Sequence, residues 1–122
     1  MATTALTAAT FESTILDNDI VVVDFWAAWC GPCRSFAPVF EAASQKHGDI
    51  VFGKVDTDAE QALGGALEIS SIPTIMAFRE GVLVFRQAGA LPAAAPEDVL
   101  GKVKALDMAE VHKAVAEAGA SA

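Results

Sequence analysis

The chain has 122 residues, of which 53% are hydrophobic and 20% charged, and this suits one globular domain. Its net charge is −8 and it has no run of Lys or Arg. Nucleic acids and anionic membrane surfaces both select clustered cations, so both partner classes are disfavoured. No stretch approaches the ~20 apolar residues of a membrane span, and residues 1–6 lack the basic start of a signal peptide. We therefore expect a cytoplasmic protein.

Apolar runs alternate with amphipathic segments along the chain, which predicts an α/β fold. In chain order we predict a helix capped by Thr7 and ending near Asp17, a strand over 20–26, a helix over 33–47, a strand over 50–56, a short helix over 59–67, hairpin strands over 74–79 and 82–87, and a helix from Pro96 to about Leu106. A further helix should follow from 107 to about 118, with residues 119–122 frayed. The order α-β-α-β-α-β-β-α predicts a mixed central sheet flanked by helices.

The two cysteines lie in the motif Cys30-Gly31-Pro32-Cys33, where a predicted strand gives way to a helix. Residues three apart at a helix start can reach disulfide distance. Free backbone N–H groups and the helix dipole favour an anion there, so the pKa of the Cys30 thiol should fall from ~8.5 towards ~7. Cys30 would then attack a substrate disulfide, and Cys33 would resolve the mixed disulfide.

Two other interpretations of the cysteines have little support. A structural disulfide that closes so short a loop would constrain almost nothing. A zinc site needs four ligands, and the chain offers no other cysteine and only His47 and His112, both expected on the surface. We therefore predict no metal site.

Asp24 and Lys54 each interrupt an apolar strand. A buried carboxylate is costly and its pKa should rise, so Asp24 is either a proton relay for Cys33 or a structural residue that is capped or reaches solvent. Lys54 is either the partner of Asp24 across neighbouring strands or an edge residue that extends to solvent. The pattern of residues leaves both pairs of alternatives open.

The positions of two prolines bear on the predicted backbone. Pro73 precedes a predicted strand, so it is either a strand-start proline or the second residue of a cis Ile72–Pro73 bond. Pro38 lies inside a predicted helix and should kink it, which is a structural role.

The segment from Val23 to Arg34, followed by Ala37-Pro38, resembles the active-site segment of thioredoxins. A C-x-x-C motif alone is weak, but W-C-G-P-C after an Asp-bearing strand is specific. Further matching features lie at Lys54-Val55-Asp56, Ser71-Ile72-Pro73-Thr74, Phe78, Gly81 and Gly89-Ala90. The resemblance extends from about Phe11 to Leu106, and the absence of Tyr and residues 107–122 depart from the family pattern.

The resemblance implies the thioredoxin fold and a general protein-disulfide reductase. It implies that Cys30 is the nucleophile, Cys33 the resolving thiol, Asp24 the buried acid and base with Lys54 as its partner, and the Ile72–Pro73 bond cis. The implied substrate-docking residues are Trp29, Gly31, Pro32, Ile72, Pro73, Gly89 and Ala90. Trp26 and Pro38 would give structural support.

The resemblance also implies partners. Electrons would come from NADPH through thioredoxin reductase, with no cofactor bound to the chain itself. Substrate proteins would be of the peroxiredoxin, methionine sulfoxide reductase or ribonucleotide reductase types. We expect a monomer with a thioredoxin domain over 1–106 and a helical extension over 107–122.

Two other functions compete with that of a reductase. A binding module would use the dithiol only as a redox switch for docking, with residues 107–122 as the supporting feature. An oxidase or isomerase of an oxidising compartment is disfavoured by the Gly-Pro dipeptide and by the missing signal peptide.

Overall fold

Five strands and five helices make up the part of the chain that this computed structural model describes, residues 3–89, 91–92 and 94–121. In chain order they are β1 (Thr3–Ala5), α1 (Phe11–Asp17), β2 (Ile20–Trp26), α2 (Gly31–Lys46), β3 (Val51–Asp56), α3 (Gln61–Ala66), β4 (Thr74–Arg79), β5 (Val82–Ala88), α4 (Ala95–Ala105) and α5 (Met108–Ser121). No helix within these ranges is long and apolar enough to cross a bilayer.

The strands form one sheet in the order β1-β3-β2-β4-β5. β2 runs parallel to β3 and antiparallel to β4, while β1 is parallel to β3 and β5 is antiparallel to β4. The predicted mixed sheet is therefore confirmed. Its central strand, β2, is Val-rich and almost wholly buried, as expected for a strand covered on both faces.

Helices cover both faces of the sheet, and the alternation along β2 divides the core in two. Val22 packs with residues of α2 and α4, among them Phe36 and Leu100. Val23 points to the opposite face and packs in the cluster that contains Phe11 of α1. Because side chains alternate along a strand, Asp24 lies on the same face as Val22, beneath α2.

The start of the chain differs from the prediction. Thr7 does not cap α1: its carbonyl accepts hydrogen bonds from the N–H groups of Thr10 and Phe11, and its own N–H donates to Thr10 Oγ1. These contacts form a turn, and the helix begins one turn later than its polar residues suggest. β1 precedes this turn and is too short to give a periodic signal of its own.

The C-terminal helix is longer than predicted. The carboxylate of Asp107 accepts hydrogen bonds from the N–H groups of Ala109 and Glu110 and so caps the start of α5. α5 then continues to Ser121, so the prediction that residues 119–121 are frayed is wrong. Ala122 lies outside the described residues.

Contacts at Met108 and His112 attach α5 to the rest of the chain. Met108 is buried, and His112 Nε2 lies 2.8 Å from Glu80 Oε1 at the β4–β5 turn. Arg79 Nη1 donates to the carbonyls of Val103 and Leu106, which fixes the connection between α4 and α5 on the end of β4.

Candidate active site

Cys30 and Cys33 form a disulfide at the start of α2, with their Cα atoms 5.2 Å apart. Cys30 is the N-cap residue, and its Sγ accepts a hydrogen bond of 3.2 Å from the Cys33 N–H. An N–H donor directed at a sulfur favours the thiolate form of that sulfur over its thiol form. Both cysteines are nearly buried, with 4% and 2% of their surface exposed.

A tight turn delivers the pair from β2 to α2. Ala27 is fully buried, and its carbonyl accepts a hydrogen bond from the Cys30 N–H. Pro32 lies in the first turn of α2, where a missing N–H costs nothing, so the helix begins at Gly31 rather than at Cys33. Pro38 lies inside α2, which continues to Lys46.

Asp24 has no exposed surface, and neither of its carboxylate oxygens has a hydrogen-bond partner. Burial raises the pKa of this carboxyl from 3.8 to about 6, and the positive charge of Lys54 offsets part of the rise. No protein group among the described residues caps Asp24 by a hydrogen bond. Its face of β2 places it beneath the helix that carries Cys33.

Lys54 stands beside Asp24 in the sheet register but makes no direct ion pair with it. The two Cα positions are partners across β2 and β3. None of the ion pairs among the described residues joins them, and the Lys54 ammonium lies 4.9 Å from the centre of the Trp26 ring. Lys54 therefore influences Asp24 through space while its cation contacts the indole.

Three other segments surround the disulfide. Trp29 is 68% exposed, and its indole Nε1 donates to Asp58 Oδ1 at 3.3 Å. The Ile72–Pro73 bond is cis, and Cys30 Sγ lies 3.8 Å from the Ile72 carbonyl oxygen. The Gly89 N–H donates to the Pro73 carbonyl at 2.8 Å.

The residues expected to dock substrates are thus largely brought together. Gly89 has φ +92°, a conformation that favours glycine. Gly31 is half-buried and Pro32 exposed at the start of α2. Ala90 lies outside the described residues.

Comparison with known proteins gives consistent relatives. A sequence model of the thioredoxin family matches residues 2–102. A protein of Streptomyces coelicolor described as putative thioredoxin 2 is 55% identical over 121 residues, which cover 99% of this chain and 90% of that protein. The chain belongs to the thioredoxin family. Among solved structures, a Plasmodium falciparum thioredoxin is 36% identical, with a TM-score of 0.75 over 80% of this chain and 96% of that one.

A second solved structure is also similar to this chain. It comes from work on the thiol-resolving mechanism of a yeast mitochondrial 1-Cys peroxiredoxin via glutathione and thioredoxin systems. It is 31% identical, with a TM-score of 0.75 over 82% of this chain and 95% of that one.

Membership of the thioredoxin family defines the activity. The chain is a protein-disulfide reductase with a redox-active cysteine pair, and it needs no prosthetic group because the dithiol itself carries the two electrons. Its partner classes are thioredoxin reductase and proteins with reducible disulfides.

Sequence reasoning missed two residues beside this thioredoxin site. Asp58 binds the Trp29 indole, and Arg34 Nη1 donates to the Ala28 carbonyl at 2.8 Å. Both are charged surface residues in the sequence, and only the tertiary path of the turn before Cys30 reveals their contacts. The one available signal was Arg34, a cation near a helix N-terminus, where cations are disfavoured.

His112 is a surface residue as predicted, with 48% of its side chain exposed, and its Nε2 pairs with Glu80. His47 is less solvated than predicted, since only 20% of its side chain is exposed and its Nε2 lies 2.9 Å from Glu97 Oε2. Across the described ranges, no group of three or more His, Cys, Asp or Glu side chains is arranged to hold a metal ion.

Proposed function

We propose that Cys30 is the nucleophile and Cys33 the resolving thiol of this reductase. The Cys30 thiolate attacks one sulfur of a substrate disulfide, and the other substrate sulfur leaves as a thiolate. Cys33 then attacks Cys30 Sγ, which releases the second substrate thiol and forms the Cys30–Cys33 disulfide. The observation that carries this assignment is the Cys33 N–H directed at Cys30 Sγ, because an N–H donor stabilises a thiolate at that sulfur.

Asp24 is the proposed acid and base for Cys33. The resolving thiol must lose a proton before it attacks, and a carboxylate with a pKa of about 6 is ionised and can accept it at neutral pH. No protein group among the described residues donates a hydrogen bond to the Asp24 oxygens, which supports this role. Lys54 is the proposed partner that keeps the pKa of Asp24 from rising further.

The proposed docking surface surrounds the exposed indole of Trp29. It consists of Trp29, Gly31, Pro32, Ile72, Pro73, Gly89 and Ala90. Its support is the contact of Ile72 with the cysteine cluster and the hydrogen bond that joins Gly89 to Pro73. Trp26 supports the surface from below, since it packs against the cluster of Ala27, Cys30 and Cys33, and Pro38 supports the helix behind it.

The cellular setting is also a proposal. Electrons pass from NADPH through thioredoxin reductase to the disulfide, and substrates are proteins of the peroxiredoxin, methionine sulfoxide reductase and ribonucleotide reductase types. The related chain from work on a peroxiredoxin supports the first of these. The active pair uses the chain's only two cysteines, which leaves none for the structural disulfides of secreted proteins and favours a cytoplasmic location.

We propose a monomer with a catalytic domain over 1–106 and an accessory helix over 107–122. A net charge of −8 opposes self-association. The family match ends at residue 102, before α5 begins, and none of the candidate site residues lies in α5. The extension is therefore assigned to stability rather than to the redox step.

Insulin reduction driven by NADPH and thioredoxin reductase tests the function. The wild type should precipitate insulin B chain, Cys30→Ser should be inactive, and Ser35→Ala, an exposed change on the same helix, should match the wild type. Full activity of Cys30→Ser would overturn the mechanism. Retention of activity after removal of residues 107–122 separates this proposal from the binding-module alternative.

A further inference from the structure

The turn over 27–30 is held by an arginine from the helix that follows it. Arg34 is the fourth residue of α2, and its guanidinium reaches back to the Ala28 carbonyl, with Nη1 2.8 Å from the oxygen. The carbonyl of Ala27 accepts the Cys30 N–H at 3.2 Å. Two successive carbonyls of the turn are therefore bound, one by backbone and one by a side chain.

The position of Arg34 is not explained by helix stability. A cation near a helix N-terminus opposes the helix dipole, and α2 has no acidic residue in its first turn to balance it. The guanidinium also remains exposed, so burial does not account for it. The hydrogen bond to the Ala28 carbonyl is the favourable interaction that Arg34 makes at this position.

Trp29 follows Ala28 directly, and its exposed indole cannot be fixed by burial. Its one side-chain hydrogen bond is the 3.3 Å contact from Nε1 to Asp58 Oδ1. Asp58 is itself fixed, since its N–H donates to Asp56 Oδ1 at 2.9 Å. The indole is thus held on one side by Asp58 and, through the backbone of the turn, on the other side by Arg34.

We propose that Arg34 is a positioning residue for protein substrates: by binding the Ala28 carbonyl it fixes the orientation in which Trp29 meets a docking polypeptide. The inference rests on the docking surface proposed above. It assigns Arg34 no part in the thiol chemistry. Protein substrates should therefore depend on Arg34, while a small disulfide that needs no docking surface should not.

The kinetic test compares insulin with the small aromatic disulfide DTNB. Arg34→Gln removes the guanidinium, and a lost hydrogen bond from a charged donor at an exposed site should raise KM for insulin about threefold or more with kcat kept. Reduction of DTNB should stay within about twofold of the wild type. Lys46→Gln is the control, because it removes the same charge from the other end of α2. Arg34→Lys keeps a cationic donor, so its KM for insulin should rise less than that of Arg34→Gln.

A spectroscopic measurement separates positioning from a change in net charge. The chain has two tryptophans, so its indole N–H groups give two NMR signals. In Arg34→Gln the order parameter of the Trp29 indole should fall while that of Trp26 stays constant. An unchanged KM for insulin, an unchanged Trp29 order parameter, or an equal change in Lys46→Gln would overturn the proposal. A matching loss of DTNB reduction would place the defect in the dithiol and would also overturn it. Inactivity of the wild type towards both disulfides would instead refute the proposed function.

Discussion

Replacement of Asp24 by Asn should stabilise the folded protein at neutral pH. Burial raises the pKa of this carboxyl from 3.8 to about 6. Between these values the folded state binds more protons than the unfolded state, so the free energy of unfolding falls as pH rises through this window. The free-energy cost of ionising Asp24 in the folded protein reaches its full value above pH ~6. Each pKa unit corresponds to ~1.4 kcal/mol, so the charge of Asp24 lowers the free energy of unfolding by about 3 kcal/mol at pH 7.5.

Urea unfolding of the oxidised protein measures this cost. Asp24→Asn should gain up to about 3 kcal/mol relative to the wild type at pH 7.5. This gain should fall to a few tenths of a kcal/mol near pH 3.5, where the carboxyl is neutral in the folded protein and mostly neutral in the unfolded chain. Asp19→Asn, which changes an exposed carboxylate at the loop before β2, should show no such dependence. The pH dependence isolates the charge, since any packing effect of the amide is common to both pH values.

The result that refutes this reasoning is a gain that does not change between pH 7.5 and pH 3.5. Such a result would show that Asp24 is as well stabilised in the fold as in the unfolded chain. It would remove the basis for its role as a base for Cys33. The same variant should also slow the release of mixed disulfides, which a stability effect alone does not predict.

Three further predictions follow from other contacts. Lys54→Met should raise the pKa of Asp24 above its wild-type value, because it removes the charge that lowers it; a carboxyl NMR titration measures the shift. Lys104→Met should raise the pKa of Asp49, because the hydrogen bond from Lys104 lowers that pKa in the wild type. The ionised Asp49 stabilises the fold above pH ~4 and this stabilisation is lost as pH falls, so it should be smaller in the variant. Urea unfolding at several pH values measures the difference. Removal of residues 107–122 should cost about 1.5–3 kcal/mol, the burial of one methionine, with insulin reduction retained; unchanged stability would contradict the packing of α5.

The sheet and the dithiol were predictable because their signals are local. A Val-rich run, a C-x-x-C motif at a helix start and a Gly-centred hairpin each specify their structure over a few residues. Asp24 was recognisable as a candidate because burying a carboxylate within an apolar strand is energetically costly. The family resemblance then supplied the cis Ile72–Pro73 bond, which no local pattern requires and which the structure contains.

The remaining features depend on contacts between distant residues. β1 is three residues long and is defined by its pairing with β3. The position of the Lys54 ammonium over Trp26, rather than beside Asp24, follows from packing of the completed sheet. Arg34 and Asp58 acquire their roles only when the turn before Cys30 has its final path. Such residues look like ordinary surface charges in the sequence.

A trapping experiment tests the central claim, that Cys30 forms the mixed disulfide and Cys33 resolves it. Reduced Cys33→Ser protein is mixed with an oxidised substrate protein, and the cross-linked species is mapped by mass spectrometry. If Cys30 is the nucleophile, stable mixed disulfides should form at Cys30 in Cys33→Ser and almost none should form in Cys30→Ser. Equal capture by Cys33 in the Cys30→Ser protein would contradict this assignment.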